Sequence, residues 1–93
     1  MKYELTLILD GKATPAKKKK TVDGLKETIA ALGGKIIKSE DWGVKELTYR
    51  IKKSGSGLYL FFELELDAVK VKSLNEKLRA ESGLLRYLLV AAD

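Results

Sequence analysis

Four groups of side chains in this sequence have the types and spacing to do chemistry. Glu63 and Glu65 lie two residues apart in an alternating stretch, so both carboxylates point the same way from a strand. Such a pair could share a proton or hold a cation. The competing reading is that alternating acids line a solvated face and pair with Lys or Arg on a neighbouring strand, and it is the stronger one. Lys17, Lys18, Lys19 and Lys20 form the densest basic run. They fall in the first turns of a helix, where the partial positive charge of the helix end disfavours cations. A local rule broken in this way can mark a functional site. Four consecutive lysines also circle a helix and can simply be solvated, which is the stronger reading here. Lys52 and Lys53 stand beside Ser54-Gly55-Ser56-Gly57, with Lys45 and Arg50 upstream. Lysines on a loop can reach phosphates, and lysines on an edge strand also protect it from aggregation. Tyr59 and Phe61, finally, share one side of a strand. They could stack bases or dock a partner protein.

What is missing narrows the chemistry. The chain has no histidine and no cysteine, which removes the commonest general base, the thiolate nucleophile, any disulfide and any thiolate zinc site. No Gly-rich phosphate loop follows the first strand, and no ligand cluster has metal spacing. An enzyme is therefore not expected, and neither a cofactor nor a metal is implied. No apolar run approaches the roughly 20 residues of a membrane span. Met1-Lys2-Tyr3-Glu4 carries an acid from the start, unlike a signal peptide, so a cytoplasmic location is the expectation. The net charge of +5, from 18 Lys and Arg against 13 Asp and Glu, suits a polyanion partner.

The elements that must position these groups can be read from the periodicity. Tyr3, Leu5, Leu7 and Leu9 alternate with Glu4, Thr6, Ile8 and Asp10, the pattern of a strand with one buried face. Thr14-Pro15 reads as a helix cap with proline at the first helical position. Val22, Leu25, Ile29 and Leu32 then make one apolar stripe, and Gly33-Gly34 stops it. An extended stretch from Lys35 to Lys53 begins its apolar set at Ile37. It is interrupted at Asp41-Trp42-Gly43, read as a bulge or bend in which Trp42 is structural. Ser54 to Gly57 reads as a flexible hairpin loop. Leu58, Leu60, Phe62, Leu64 and Leu66 form the clearest apolar face, opposite Tyr59, Phe61, Glu63 and Glu65. Asp67 can cap a second helix lined by Val71, Leu74 and Leu78 and ended by Gly83. Leu84 to Ala92 is the last strand.

The order β-α-β-β-α-β over residues 1–93 predicts a single domain of the α+β class. Two helices on one face of a four-stranded antiparallel sheet make it a ferredoxin-like split sandwich. The other face stays open, with Ile8, Tyr59, Phe61, Arg86 and Leu88 on it by alternation. If the first and last strands pair, Lys2 and Arg86 are expected to come close. The residues around Gly57 do not match an RNA-recognition motif, because Leu58 and Leu60 fall where its aromatics belong. Protein docking is thus the stronger reading of Tyr59 and Phe61.

Glu40-Asp41-Trp42-Gly43-Val44-Lys45-Glu46-Leu47-Thr48-Tyr49-Arg50-Ile51-Lys52-Lys53, followed by Gly57-Leu58-Tyr59, resembles the S-six family of bacterial small-subunit ribosomal proteins. The family pattern is an Asp-Trp-Gly-like turn, Leu-x-Tyr-x-Ile-x-Lys, a short loop and Gly-x-Tyr. Met1-Lys2-Tyr3-Glu4 and the position of Arg86 in an apolar last strand are similar as well. The resemblance implies a non-enzymatic protein of the ribosome. It would bind the central domain of small-subunit ribosomal RNA together with the eighteenth small-subunit protein, as a heterodimer, during platform assembly. Lys2, Lys45, Arg50, Lys52, Lys53 and Arg86 are then the expected phosphate contacts, and Tyr59 and Phe61 the expected partner-protein contacts. One departure is Arg50, where the family usually has proline; it restores a backbone donor and adds charge. The alternative is a ligand-binding regulatory module on the same fold, since fold alone does not fix function. An acylphosphatase-like enzyme would need an anion-cradling Arg in the first strand–helix loop, where this chain has Lys12.

Overall fold

The computed structural model describes residues 1–51, 54–81 and 83–92, with side chains except at 48–51 and 54. The elements follow the expected order: β1 (Lys2–Asp10), α1 (Pro15–Ala31), β2 (Lys35–Ile51), β3 (Ser54–Glu65), α2 (Val71–Ala80) and β4 (Leu84–Ala91). The strands form one antiparallel sheet in the order β2-β3-β1-β4. This is the ferredoxin-like βαββαβ arrangement.

Alternation decides which side of the sheet is covered. Tyr3, Leu5, Leu7 and Leu9 of β1 and Leu58, Leu60, Phe62 and Leu64 of β3 are all buried. They pack with Leu25 and Ile29 of α1 and Leu74 and Leu78 of α2 in one apolar cluster. Each fully buried Leu or Phe contributes about 1.5–3 kcal/mol from removing its surface from water. That burial holds the helices to one face.

The helix ends explain where the chain turns. Thr14 accepts a hydrogen bond from the Lys17 backbone N–H through Oγ1 at 3.2 Å, which satisfies one orphan donor of α1. At the other end Gly33 takes φ +79°, Gly34 N–H bonds Ile29 O at 2.9 Å, and Gly33 N–H bonds Ala30 O at 3.0 Å. This paired closure is a Schellman motif, and its left-handed residue favours glycine.

Five details differ from the sequence-based expectation. Ser54–Gly57 is not a loop: β3 begins at Ser54, and Ser56 and Gly57 stand opposite Glu46 and Lys45. Small residues are tolerated there because β2 continues alongside them and supplies the ladder. Ile36, not Ile37, packs on the core, and Ile37 is exposed, because the register of β2 shifts between Ile36 and Lys38. Asp67 caps a short 3-10 turn, Ala68–Lys70, accepting from Val69 N–H at 3.2 Å, and α2 starts only after it. Helix α2 ends before Gly83, with Glu81 in extended conformation as its cap. Lys2 and Arg86 do not come close. The antiparallel β1–β4 pairing sets Arg86 opposite Ile8, whereas Lys2 O accepts from Ala92 N–H at the far end of the strand. Six residues of strand separate the two, about 20 Å.

A candidate interface on the open sheet face

The uncovered side of the sheet is a set of cross-strand rows. At one end Gly43, Tyr59, Ile8 and Arg86 stand side by side on β2, β3, β1 and β4. The next row is Glu40, Phe61, Thr6 and Leu88, and the next is Lys38, Glu63, Glu4 and Val90. Lys35, Glu65 and Lys2 close the series. The face therefore divides into an aromatic and apolar half and a charged half.

A bulge in β2 completes the aromatic half. Asp41 pairs with Leu60 and Gly43 with Tyr59, so Trp42 is an extra residue with no partner in β3. Gly43 takes φ +80°, a left-handed conformation that a residue with a Cβ adopts only at a cost. Asp41 Oδ1 accepts from the Gly43 N–H at 2.8 Å and locks the turn. The Trp42 ring lies over Phe61, with centroids 4.9 Å apart and planes inclined by 7°. Its side of the pair stays open, at 45% exposure. Lys45 then places its ammonium 5.6 Å from the Trp42 centroid and 5.3 Å from that of Tyr59. An exposed cation–π contact contributes about 0.5–1 kcal/mol.

The expected site residues thus separate into groups. Tyr59, Phe61 and Lys45 come together, with Arg86 on the same row as Tyr59. Lys2 lies in the charged half, opposite Glu65. The Arg50 side chain and the whole of Lys52 and Lys53 lie outside the described residues. Lys45 lies on the edge strand β2, as expected, and from there its ammonium reaches over the aromatic cluster of the open face. Trp42 was expected only to shape the bend; its ring is in fact the outermost layer of the cluster. The signal that could have found it is parity. After the extra residue Trp42, odd-numbered Gly43 and Lys45 share the face of Tyr59, while Lys38 and Glu40 reach it on even numbers.

On the covered side, Asp41 Oδ2 accepts from the Lys18 ammonium of α1. That hydrogen bond and the one from Gly43 hold the Asp41 carboxyl below the usual carboxylate range. Among the described residues no three acids cluster as metal ligands, and no helix is long and apolar enough to cross a membrane.

Comparison with known proteins matches residues 2–91 to the family described as ribosomal protein S6. The small ribosomal subunit protein bS6 of Vesicomyosocius okutanii is 40% identical over 91 residues, covering 98% of this chain and 80% of that protein. The bS6 protein of Sinorhizobium fredii is 32% identical over 91 residues. There the chain spans only 61% of the relative's length. A crystal structure of 30S ribosomal protein S6 from Thermotoga maritima shares the fold with a TM-score of 0.90 at 24% identity, over 98% of this chain and 86% of that one. With a family match over nearly the whole sequence and relatives of this identity, the chain belongs to the ribosomal protein S6 family.

Proposed function

We propose that this chain is a structural constituent of the small ribosomal subunit in the cytoplasm and has no catalytic role. In this reading it binds the central domain of small-subunit ribosomal RNA together with the eighteenth small-subunit protein. The observation that carries it is the uncovered sheet face, where Trp42, Phe61 and Tyr59 cluster under Lys45 with Arg86 on the neighbouring row. Exposed aromatic surface of this kind suits a protein partner better than solvent. Tyr59 and Phe61, with Trp42, are assigned to that partner. Lys2, Lys45, Arg50, Lys52, Lys53 and Arg86 are assigned to phosphate, which fixes position without reading bases. Family membership supports the ribosomal setting.

The test is binding to a central-domain RNA fragment, with and without the eighteenth protein, across a salt series. Tight binding only with the partner is expected, with log affinity falling linearly in log salt. An unrelated RNA of equal length should not bind tightly. Weak binding to every RNA, indifferent to the partner, would defeat this reading.

A further inference from the structure

We propose that Lys18 and Asp41, on the helix-covered side of β2, are positioning residues that set Trp42 onto the docking face on the opposite side. This deepens the partner reading of that face and rests on it for its binding arm alone.

Both carboxylate oxygens of Asp41 are engaged. Oδ1 accepts from Gly43 N–H at 2.8 Å, and Oδ2 accepts from Lys18. The first bond ties the residue before Trp42 to the residue after it. With Gly43 at φ +80°, the chain rejoins β3 at Tyr59 with Trp42 turned to the side of Phe61, away from the helices. The second bond anchors that closed turn to α1, a separate layer of the fold. Because Trp42 is the unpaired residue of a bulge, no ladder partner holds it. The bulge is also in an edge strand, with β3 on one side alone. What orients the ring is therefore the turn beneath it, Phe61 beside it and the Lys45 ammonium over it.

The lysine run gains an explanation. Lys18 is the half-buried member, whereas Lys17, Lys19 and Lys20 are exposed. A cation in the first turn of a helix is unfavourable to that helix, and here one of the four has a carboxylate on β2 to meet.

Trp42 is the only tryptophan of the chain, so its own signal reports the result. The variants are Lys18→Met, Asp41→Asn, Asp41→Ala and the control Lys19→Met, each in the full chain. The free protein is measured by acrylamide quenching of Trp42 and by near-ultraviolet circular dichroism of the Trp42–Phe61 pair. Affinity for the eighteenth protein is then measured. Asp41→Asn keeps an acceptor for Gly43 and loses the charge. Asp41→Ala loses both contacts. Expected are easier quenching and a weaker dichroic band in all three site variants, largest in Asp41→Ala, with Lys19→Met unchanged. Partner affinity should fall about tenfold in Asp41→Ala and about threefold in Lys18→Met and Asp41→Asn, the range of a displaced aromatic contact.

The charge changes separate positioning from simple electrostatics. Lys18→Met removes a positive charge and Asp41→Asn a negative one, so a bulk charge effect moves affinity in opposite directions. Positioning moves both the same way. Should Asp41→Ala fail to fold, the two milder variants decide. Unchanged Trp42 signals in Lys18→Met and Asp41→Asn would overturn the proposal, as would altered signals with wild-type partner affinity. If the unaltered chain does not bind the partner either, the docking reading falls, and the Trp42 signals still decide the positioning.

Discussion

Strand β3 has two neighbours, and it meets them differently. With β1 it pairs through nine consecutive residues, Lys2 to Asp10, without a shift. With β2 the register slips three times, after Ile36, after Asp41 and after Glu46. The contrast follows from what lies behind each strand. β1 is central, and its inward residues Leu5, Leu7 and Leu9 are almost fully enclosed. A slip of one residue there would expose the whole set. β2 is an edge, and its inward side mixes Ile36 with Asp41 and the exposed Val44. Little burial is lost when its register moves, so a bulge can be used to relocate side chains. The central seam builds stability, and the edge seam builds the surface.

Truncating the two adjacent phenylalanines of β3 tests that division most strongly. Phe62 faces the helices and is 2% exposed, whereas Phe61 faces outward against Trp42. Phe62→Ala should cost about 3–5 kcal/mol, because a cavity is left in a close-packed core. Phe61→Ala should cost about 1 kcal/mol, mostly the lost ring contact. Urea midpoints of the two variants measure the difference. Equal losses would mean that the outer face contributes to stability as the inner one does.

The edge seam can be broken at its turn. A Cβ on Gly43 would meet nothing within 4 Å, so any cost of substitution lies in the backbone at φ +80°. Gly43→Ala should destabilise by about 1–2 kcal/mol, and Gly43→Asn by less, since Asn tolerates the left-handed region better. A neutral Gly43→Ala would show that the bulge relaxes without strain. Gly24 supplies the opposite sign. It sits inside α1 with open space around its missing Cβ and no positive φ. Gly24→Ala should stabilise the chain by about 0.5–1 kcal/mol through helix propensity and a less flexible unfolded state. Thermal melts of the pair check both.

How legible the molecule was in its sequence follows the same division. The Leu alternation in β1 and β3, the Thr14-Pro15 start of α1 and its Gly33-Gly34 stop are local signals, and the structure agrees with each. The Asp41-Trp42-Gly43 interruption was also legible as a bulge. Its consequence was not, because the turn that carries Trp42 is tied through Asp41 to Lys18, 23 residues before Asp41 in the chain. The position of Lys45 over Trp42 and Tyr59 depends on the parity change that the bulge introduces. Ser54-Gly55-Ser56-Gly57 looked like a loop because small residues carry no strand pattern. Pairing with β2 overrides that weak local preference.

The smallest expected effect comes from acid. The Asp41 carboxyl is held below its ordinary value of 3.8, first by the Lys18 hydrogen bond and then by the Gly43 N–H. A carboxylate with a lowered folded pKa stabilises the folded chain fully above the unfolded value. That contribution is lost as the pH falls through the lower folded value. The Lys18 and Asp41 side chains are 37% and 43% exposed, so solvent and salt screen the pair, and its loss should cost about 0.5 kcal/mol or less. Trp42 gives a local readout that global stability does not. Its emission should stay constant from neutral pH to about pH 4 and change only below it, as Asp41 takes up its proton. In Asp41→Asn that acid step should be absent, with the neutral-pH spectrum already shifted toward the acid form. An unaltered acid step in Asp41→Asn would assign it to another carboxylate and uncouple the edge turn from Asp41. Loss of the step would tie the outward face of β2 to one ion pair on its inward side.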